Sequence, residues 1–318
     1  MKVAWIFPGQ GSQEVGMGRD VAETFAAAKA VFASADEAFA RAGDARSLSS
    51  LCFEGPIEAL TLTENTQPAL VATQAALVAA IREAHPGLPA PVVAMGHSLG
   101  EYAALVAAGA LSLADAVRLC RVRGAAMQAA VPAGAGAMAA VIGTDDAVIL
   151  AACAEASQEG SPVSPANFNA PGQTVIAGSS EAVKRATELL AAKGAKTIPL
   201  KVSAPFHCAL MRPAATELER ALAEVTLGAM QFPVIANVDA APNDDPSRVK
   251  DLLVRQVDGP VLWIKCVERA VALGVDVMVE VGPGKVLAGL IKRIDKKLRV
   301  VSVSDAASVA SLASALSG

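Results

Sequence analysis

One glycine-framed serine and three histidines bound the chemistry open to this chain. Ser98 stands in Gly96-His97-Ser98-Leu99-Gly100, a Gly-x-Ser-x-Gly pattern preceded by the apolar run Pro91–Met95 and followed by Tyr102–Ala108, which is rich in helix formers. Strand, tight turn and helix form the setting that gives this pattern a mechanism. The glycines let the chain turn sharply, and the serine projects from the turn as a nucleophile. Unpaired N–H groups at the start of the following helix favour negative charge beside it, so an oxyanion could sit there. The pattern also arises by chance in Ala- and Gly-rich chains, so the serine needs a base.

His85 precedes a proline at a helix end and reads as surface. His97 adjoins the serine, but the side chain before such a nucleophile tends to point elsewhere. His207, in Ala204-Pro205-Phe206-His207, is the better candidate. A neutral imidazole there can take the serine proton and later return it to a leaving thiolate. Asp115, Asp145 and Asp146 lie between the two, none at an obvious strand end. A Ser–His dyad oriented by a backbone carbonyl therefore fits better than a full triad.

Two further features could serve such a site. Pro8-Gly9-Gln10-Gly11-Ser12-Gln13 follows the first strand, and its glycines let the backbone approach a ligand closely. On a helix over 113–131, opened by a capping pair Ser112 and Asp115, the residues Leu113, Val117, Cys120, Gly124, Met127 and Val131 make one apolar stripe. Arg121 and Arg123 flank that stripe on opposite sides, and either could reach inward.

The elements that must hold these residues read as an α/β fold. Strands are expected at 3–7, 91–95, 232–236 and 276–281, and helices at 18–42, 69–84, 113–131 and 262–273, with Asn65 and Thr66 as caps of the second helix. Alternation of this kind implies a mainly parallel sheet covered on both faces. Between 129 and 203 the texture changes to strand 137–142, helix 145–157, strands 163–168 and 173–178, helix 181–193 and strand 196–201. This βαββαβ order is ferredoxin-like. The expected organisation is a large α/β catalytic domain of residues 1–128 and 204–318 carrying an inserted ferredoxin-like subdomain of residues 129–203, with Gly134-Ala135-Gly136 as a hinge at its start. The Ser- and Ala-rich tail from Val301 carries little signal.

Composition excludes several classes. A 53% hydrophobic content argues against disorder, no stretch approaches 18 strongly apolar residues, and the N-terminus lacks the features of a secretory signal. Five cysteines scattered in apolar surroundings suggest reduced thiols in a cytoplasmic protein, and none has zinc-ligand spacing. The net charge of −4 gives no support to nucleic-acid binding. Lys292, Arg293, Lys296, Lys297 and Arg299 crowd one segment, either as cations closing a helix or as a docking patch for an acidic partner. Gly282-Pro283-Gly284-Lys285 lacks Walker A spacing and reads as a turn.

Five blocks in order, Phe7–Gln13, Gly96–Tyr102, Asn169–Gln173, Pro205–Met211 and Glu280–Lys285, resemble the malonyl-CoA:acyl carrier protein transacylases of dissociated fatty acid synthesis over nearly the whole chain. The resemblance implies a hydrolase-like core and transfer of a malonyl group from malonyl-CoA to the phosphopantetheine thiol of acyl carrier protein, with no cofactor, nucleic acid or membrane involved. It implies that Ser98 is acylated and that His207 is its base. Gln10 and Leu99 would supply the oxyanion-hole amides, and the main-chain carbonyl of Gln256 would orient the histidine. Arg123 would hold the malonyl carboxylate, and Asn169 would face the cleft. Phe206, before the base, would crowd an α-methyl branch and favour malonyl over methylmalonyl. Ala236 departs from relatives that carry a second asparagine there. A malonyl loader of a polyketide synthase or of malonate decarboxylase would carry much the same residues. A serine esterase or thioesterase would share the elbow and histidine but leave Arg123 and the Gly-Gln-Gly loop unexplained, and a non-catalytic binding protein would have no use for either.

Overall fold

The structure, a computed structural model, describes residues 1–41, 46–200, 202 and 204–317. The expected ends of a helix at residue 42 and of a strand at residue 201, and the boundary at residue 203, lie outside the described residues. The first half runs β1 (Val3–Phe7), α1 (Arg19–Thr24), α2 (Ala26–Arg41), α3 (Leu48–Glu54), α4 (Ile57–Thr61), α5 (Thr63–Ala84), β2 (Val93–Gly96), α6 (Gly100–Ala108) and α7 (Leu113–Ala129). Next come β3 (Gly136–Ile142), α8 (Asp146–Ala156), β4 (Val163–Ala170), β5 (Gln173–Ser179), α9 (Ser180–Ala192) and β6 (Lys196–Pro199). The chain continues through α10 (Arg212–Ala223), β7 (Val234–Ile235), β8 (Pro242–Asn243), α11 (Val249–Asp258), α12 (Trp263–Ala272), β9 (Val277–Val281), α13 (Val286–Ile294), β10 (Arg299–Val303) and α14 (Ala306–Ser317).

Two sheets result. The larger has strand order β10-β9-β1-β2-β7-β8, parallel except where β7 meets β8. Its central strands are buried on both faces, as a parallel sheet covered by helices requires. The smaller is antiparallel with order β4-β5-β3-β6, the ferredoxin-like arrangement. It buries an apolar cluster with α8 and α9, including Val141, Ile149, Ile176 and Leu190. Gly136 at its start packs on Pro205 beyond its end, where a Cβ would stand 2.4 Å from the proline ring. Phe168 N–H and the Val261 carbonyl (2.9 Å) bind it to the segment before α12. Among the described residues no helix is long and apolar enough to cross a membrane.

Several elements differ from the sequence reading. The helix expected over 18–42 breaks at Phe25, which is extended and packs against the core, and Glu83 of α5 accepts from the Ala27 N–H at 2.7 Å to cap α2. Helix α5 begins at Thr63, not 69, and encloses Pro68. Asn65 and Thr66 do not cap it; their side chains hold the Ala59 and Leu60 carbonyls of α4. Strand β7 has two residues because Ala236 turns back to the Ala241 carbonyl (3.2 Å), with Ala240 at φ 53°. The tail holds β10 and α14, and α14 covers the end of α5, where His85 Nε2 lies 2.7 Å from the Val309 carbonyl. His85 is therefore half-buried and tied down, not a free surface residue. Within the basic segment, Arg299 binds carbonyls of α14 and Arg293 binds the Pro171–Gln173 turn, while Lys292, Lys296 and Lys297 are exposed.

Candidate active site

Adjacent parallel strands deliver the first two pieces of the site to one place. Phe7 of β1 pairs with Gly96 of β2, so the loop carrying Gln10 and the turn carrying Ser98 leave the same sheet edge, where open α/β sheets bind their ligands. The glycines are required by the closeness of that approach. A Cβ at Gly9 would lie 2.4 Å from the His97 carbonyl oxygen, and one at Gly100 would lie 2.0 Å from that of Phe7. Ser98 takes φ 50°, a strained value for a residue with a side chain. Asn237, just past β7, holds it there: its Oδ1 accepts the Ser98 N–H at 2.6 Å and its Nδ2 donates to the Gly96 carbonyl at 2.7 Å.

His207 Nε2 lies 2.7 Å from Ser98 Oγ. Its Nδ1 faces two carbonyls, of Gln256 at 2.9 Å and Gly259 at 3.2 Å. Carbonyls only accept, so these partners place the ring proton on Nδ1 and leave Nε2 with a lone pair for the serine. Burial, and then the charge of Arg123, pull the imidazole down to about 3. It is neutral, and thus a base, across the neutral range.

Arg123 is buried on α7 at 2% exposure. Its Nη1 donates to Gln67 Oε1 at 2.8 Å, and its Nη2 donates to Ser98 Oγ and to Gln256 Oε1, each at 3.0 Å. All three partners are neutral oxygens, and the guanidinium lies 5.6 Å from the Tyr102 ring centre. Nε is buried and, among the described residues, has no hydrogen-bond partner. A buried cation with an idle donor is costly unless an anion completes it. Arg121 instead turns to Asn65 and lies 3.7 Å from Glu64. The pair that periodicity could not separate is thus divided by contact.

A cavity of about 150 Å³ opens on these groups, lined by Gln10, Ser98, Leu99, Arg123, Met127 and Phe206 among others. Among the described residues, the backbone amides of Gln10 and Leu99 have no acceptor outside the regular elements. His207 also lines the cavity, and Gln256 stands directly behind it, so six of the seven residues singled out by sequence come together here. Asn169 faces His97, with Oδ1 at 2.8 Å from Nε2, and Asn167 is the asparagine of β4 that lines the cavity. His97, pulled below its usual pKa by burial, packs beside the Trp263 ring at 5.6 Å and is not bonded to Ser98.

Sequence reasoning missed four contributors: Gln67, Glu101, Asn237 and the side chain of Gln256. Gln67 ends the polar run Thr63–Gln67 that opens α5, and nothing in that run distinguishes it from its neighbours, although the structure buries it. The others serve the site through folds of distant chain. Glu101 Oε2 accepts from the Asn237 N–H and from Gln256 Nε2, both at 2.8 Å, and burial pushes its carboxyl up to about 7. The five cysteines are all unpaired and buried, and burial raises their thiols. Among the described residues no cluster of His, Cys, Asp or Glu could hold a metal ion.

Residues 4–316 match the family model described as the acyl transferase domain. The chain is 49% identical over 308 residues to the malonyl CoA-acyl carrier protein transacylase of Escherichia coli (strain K12), covering 96% of this chain and 97% of that one. Its identity to the protein of that name from Bacillus subtilis (strain 168) is 46%, covering 96% and 94%. Among solved structures, an acyl carrier protein S-malonyltransferase from Vibrio cholerae superposes with a TM-score of 0.93 at 50% identity, over 98% of this chain and 100% of that one. A malonyl-transacylase in complex with its type II polyketide acyl-carrier protein superposes with a TM-score of 0.92 at 45% identity, over 98% of each chain.

Proposed function

Since the chain belongs to the acyl transferase domain family, and within it to the malonyl-CoA:acyl carrier protein transacylases, we propose that it moves a malonyl group from malonyl-CoA to the phosphopantetheine thiol of acyl carrier protein through a malonyl ester of Ser98. The observation that carries this mechanism is the double contact at one oxygen: Ser98 Oγ lies 2.7 Å from the base His207 and 3.0 Å from the buried cation Arg123. A nucleophile beside a cation suits an acyl group that ends in a carboxylate.

In the first half-reaction His207 Nε2 takes the Ser98 proton as Oγ attacks the thioester carbon. The Gln10 and Leu99 amides receive the developing oxyanion. The C–S bond breaks, and the imidazolium returns its proton to the CoA thiolate. The carrier thiol then gives its proton to His207 and attacks the ester, Ser98 leaves with that proton, and the kinetics are ping-pong. Every proton and bond is accounted for by the protein and two thiols, so the reaction runs without a cofactor. Arg123 reads the malonyl carboxylate through Nε and Nη2, and Phe206 narrows the cavity against an α-methyl branch, a preference worth about 1–3 kcal/mol.

In this reading residues 129–203 are an inserted subdomain on a catalytic domain of 1–128 and 204–318, supported by their own sheet and apolar cluster and by the meeting of Gly136 with Pro205. Dissociated fatty acid synthesis is the pathway and the cytoplasm the compartment, where reduced buried thiols are at home. The testing experiment is intact-protein mass spectrometry after brief exposure to malonyl-CoA. The protein gains one malonyl group, loses it when carrier protein is added, and gains none as Ser98→Ala. An adduct on Ser98→Ala, or release of free malonate in place of transfer, refutes the reading.

A further inference from the structure

Gln256 is fully buried, and its main-chain carbonyl and both polar atoms of its side chain serve the site. Its main-chain carbonyl holds His207, its Oε1 accepts from Arg123, and its Nε2 donates to the Ser98 carbonyl at 3.0 Å and to Glu101 Oε2 at 2.8 Å. Building on the acyl-transfer reading, we propose that Glu101 is a positioning residue, whose carboxyl fixes the direction of the Gln256 amide and thereby holds the specificity arginine and the serine elbow in one arrangement.

A guanidinium can only donate, so Arg123 stays bonded to Gln256 only while the amide oxygen faces it. Turned over, the amide would set two donors against each other, and its oxygen would face an acceptor. Glu101 enforces this orientation together with the Ser98 carbonyl, because both receive the amide nitrogen, Glu101 at the shorter distance. It does the same for Asn237, whose backbone N–H it accepts at 2.8 Å while the Asn237 side chain clamps Ser98. One carboxyl therefore braces both supports of the elbow. The interposed amide also keeps Glu101 from pairing with Arg123, whose donors go instead to Gln67, Ser98 and Gln256. A direct ion pair would neutralise the charge that the malonyl carboxylate needs. Displacement of supporting groups by about 1 Å can cost catalysis on the order of 10²-fold.

The test compares Glu101→Leu, which removes the acceptor, with Glu101→Gln, which keeps an acceptor oxygen of the same size. Both are assayed with malonyl-CoA and acetyl-CoA as donors to carrier protein, with folding checked by thermal unfolding. Glu101→Leu should lower kcat/KM for malonyl-CoA by about 10²-fold and the malonyl-to-acetyl ratio by about tenfold. Glu101→Gln should keep both within about threefold of the parent. Gln256→Leu keeps the main-chain carbonyl for His207 and should lower the ratio as Glu101→Leu does. In the double variant the malonyl-to-acetyl ratio should be no lower than in Gln256→Leu alone, since Glu101 reaches Arg123 through Gln256, while any further loss of rate reports its second contact, to Asn237. An unchanged ratio in folded Glu101→Leu, or in Gln256→Leu should the former not fold, overturns the proposal, as does a Glu101→Gln variant as impaired as Glu101→Leu. Labelling of Ser98 by a fluorophosphonate separates this from the function itself. If the parent transfers no malonyl but labelling is still slowed by Glu101→Leu and not by Glu101→Gln, the transferase reading fails and the positioning role stands.

Discussion

Replacing Arg123 with alanine should convert a selective transferase into a poor and indifferent one. The guanidinium presents Nη2, shared between Ser98 and Gln256, and Nε, which has no partner among the described residues. A malonyl carboxylate can take Nε and, in place of the Ser98 hydroxyl, the second Nη2 hydrogen through a planar fork, making two charge-assisted hydrogen bonds of about 1.5–3 kcal/mol each while the Gln256 bond stays. Their sum, about 3–6 kcal/mol, corresponds to roughly 10²–10⁴ in kcat/KM for malonyl-CoA. Acetyl-CoA carries no carboxylate and forfeits none of this. Its kcat/KM should therefore change by less than about tenfold, most of that from the lost contact to Ser98 Oγ. Arg123→Lys should fall between, because an ammonium offers a point charge without the fork. The assay is rapid-quench acylation with each donor under single-turnover conditions, so that binding and chemistry are separated from carrier turnover. A malonyl-to-acetyl ratio unchanged in Arg123→Ala would refute the assignment and require another cation to read the carboxylate.

Three other expectations follow from the same geometry. Because burial and Arg123 hold His207 near 3 in the free protein, kcat/KM for malonyl-CoA should stay flat as pH falls from 8 to 5. In the malonyl-enzyme, where Arg123 is paired, the inflection in kcat should lie higher, and a kcat/KM inflection at the ordinary imidazole value refutes the first part. Glu101, raised from 4.5 to about 7 by burial against the pull of Asn237, Gln256 and Arg123 and with the push of Asp239, binds more protons folded than unfolded. Its contribution is full below 4.5 and is lost as pH rises through about 7. The Tm difference between parent and Glu101→Gln should therefore shift against the parent over that range, and a pH-independent difference would contradict it. Reversing the exposed charges of Lys292, Lys296 and Lys297 to glutamate should raise KM for carrier protein without slowing adduct formation from malonyl-CoA; an unchanged KM would leave these lysines as helix-end solvation only.

What could be read from the sequence was whatever is encoded locally. The elbow announces itself through Gly96 and Gly100, where a Cβ would strike the backbone of Gly100 and of Phe7, and the βαββαβ texture of 137–199 follows from short elements with clear turns. The dyad was legible because only three histidines compete and the one beside the serine points away from it, an expectation the His97–Asn169 contact bears out. The rest depended on contacts between distant segments. Nothing around Gln256 marks it as the meeting point of α7, α6 and the 207 loop, since each of its partners is more than 45 residues away. The break at Phe25 is set by Glu83, the early start of α5 by carbonyls of α4, and the burial of His85 by α14. Arg121 and Arg123 needed either the family resemblance or the coordinates, because two residues on opposite flanks of one stripe look alike to periodicity.

Among the described residues no acidic third member is bonded to His207, and that is consistent with the substrate. In a hydrolase triad the carboxylate stabilises an imidazolium that must protonate a poor leaving group. Here the first leaving group is a thiolate, whose conjugate acid has a pKa of about 8.5, and in the second half-reaction an imidazolium without a carboxylate behind it is the stronger acid toward the departing Ser98 oxygen. The carbonyls of Gln256 and Gly259 set the tautomer without adding charge. A carboxylate in their place would sit close to Arg123 through the shared serine and would compete with the malonyl group for the guanidinium. Glu101, a carboxyl close to this cation, is kept behind the Gln256 amide. A neutral dyad and an unneutralised arginine are thus two consequences of a single constraint, that the only anion free to approach this cation should arrive with the substrate.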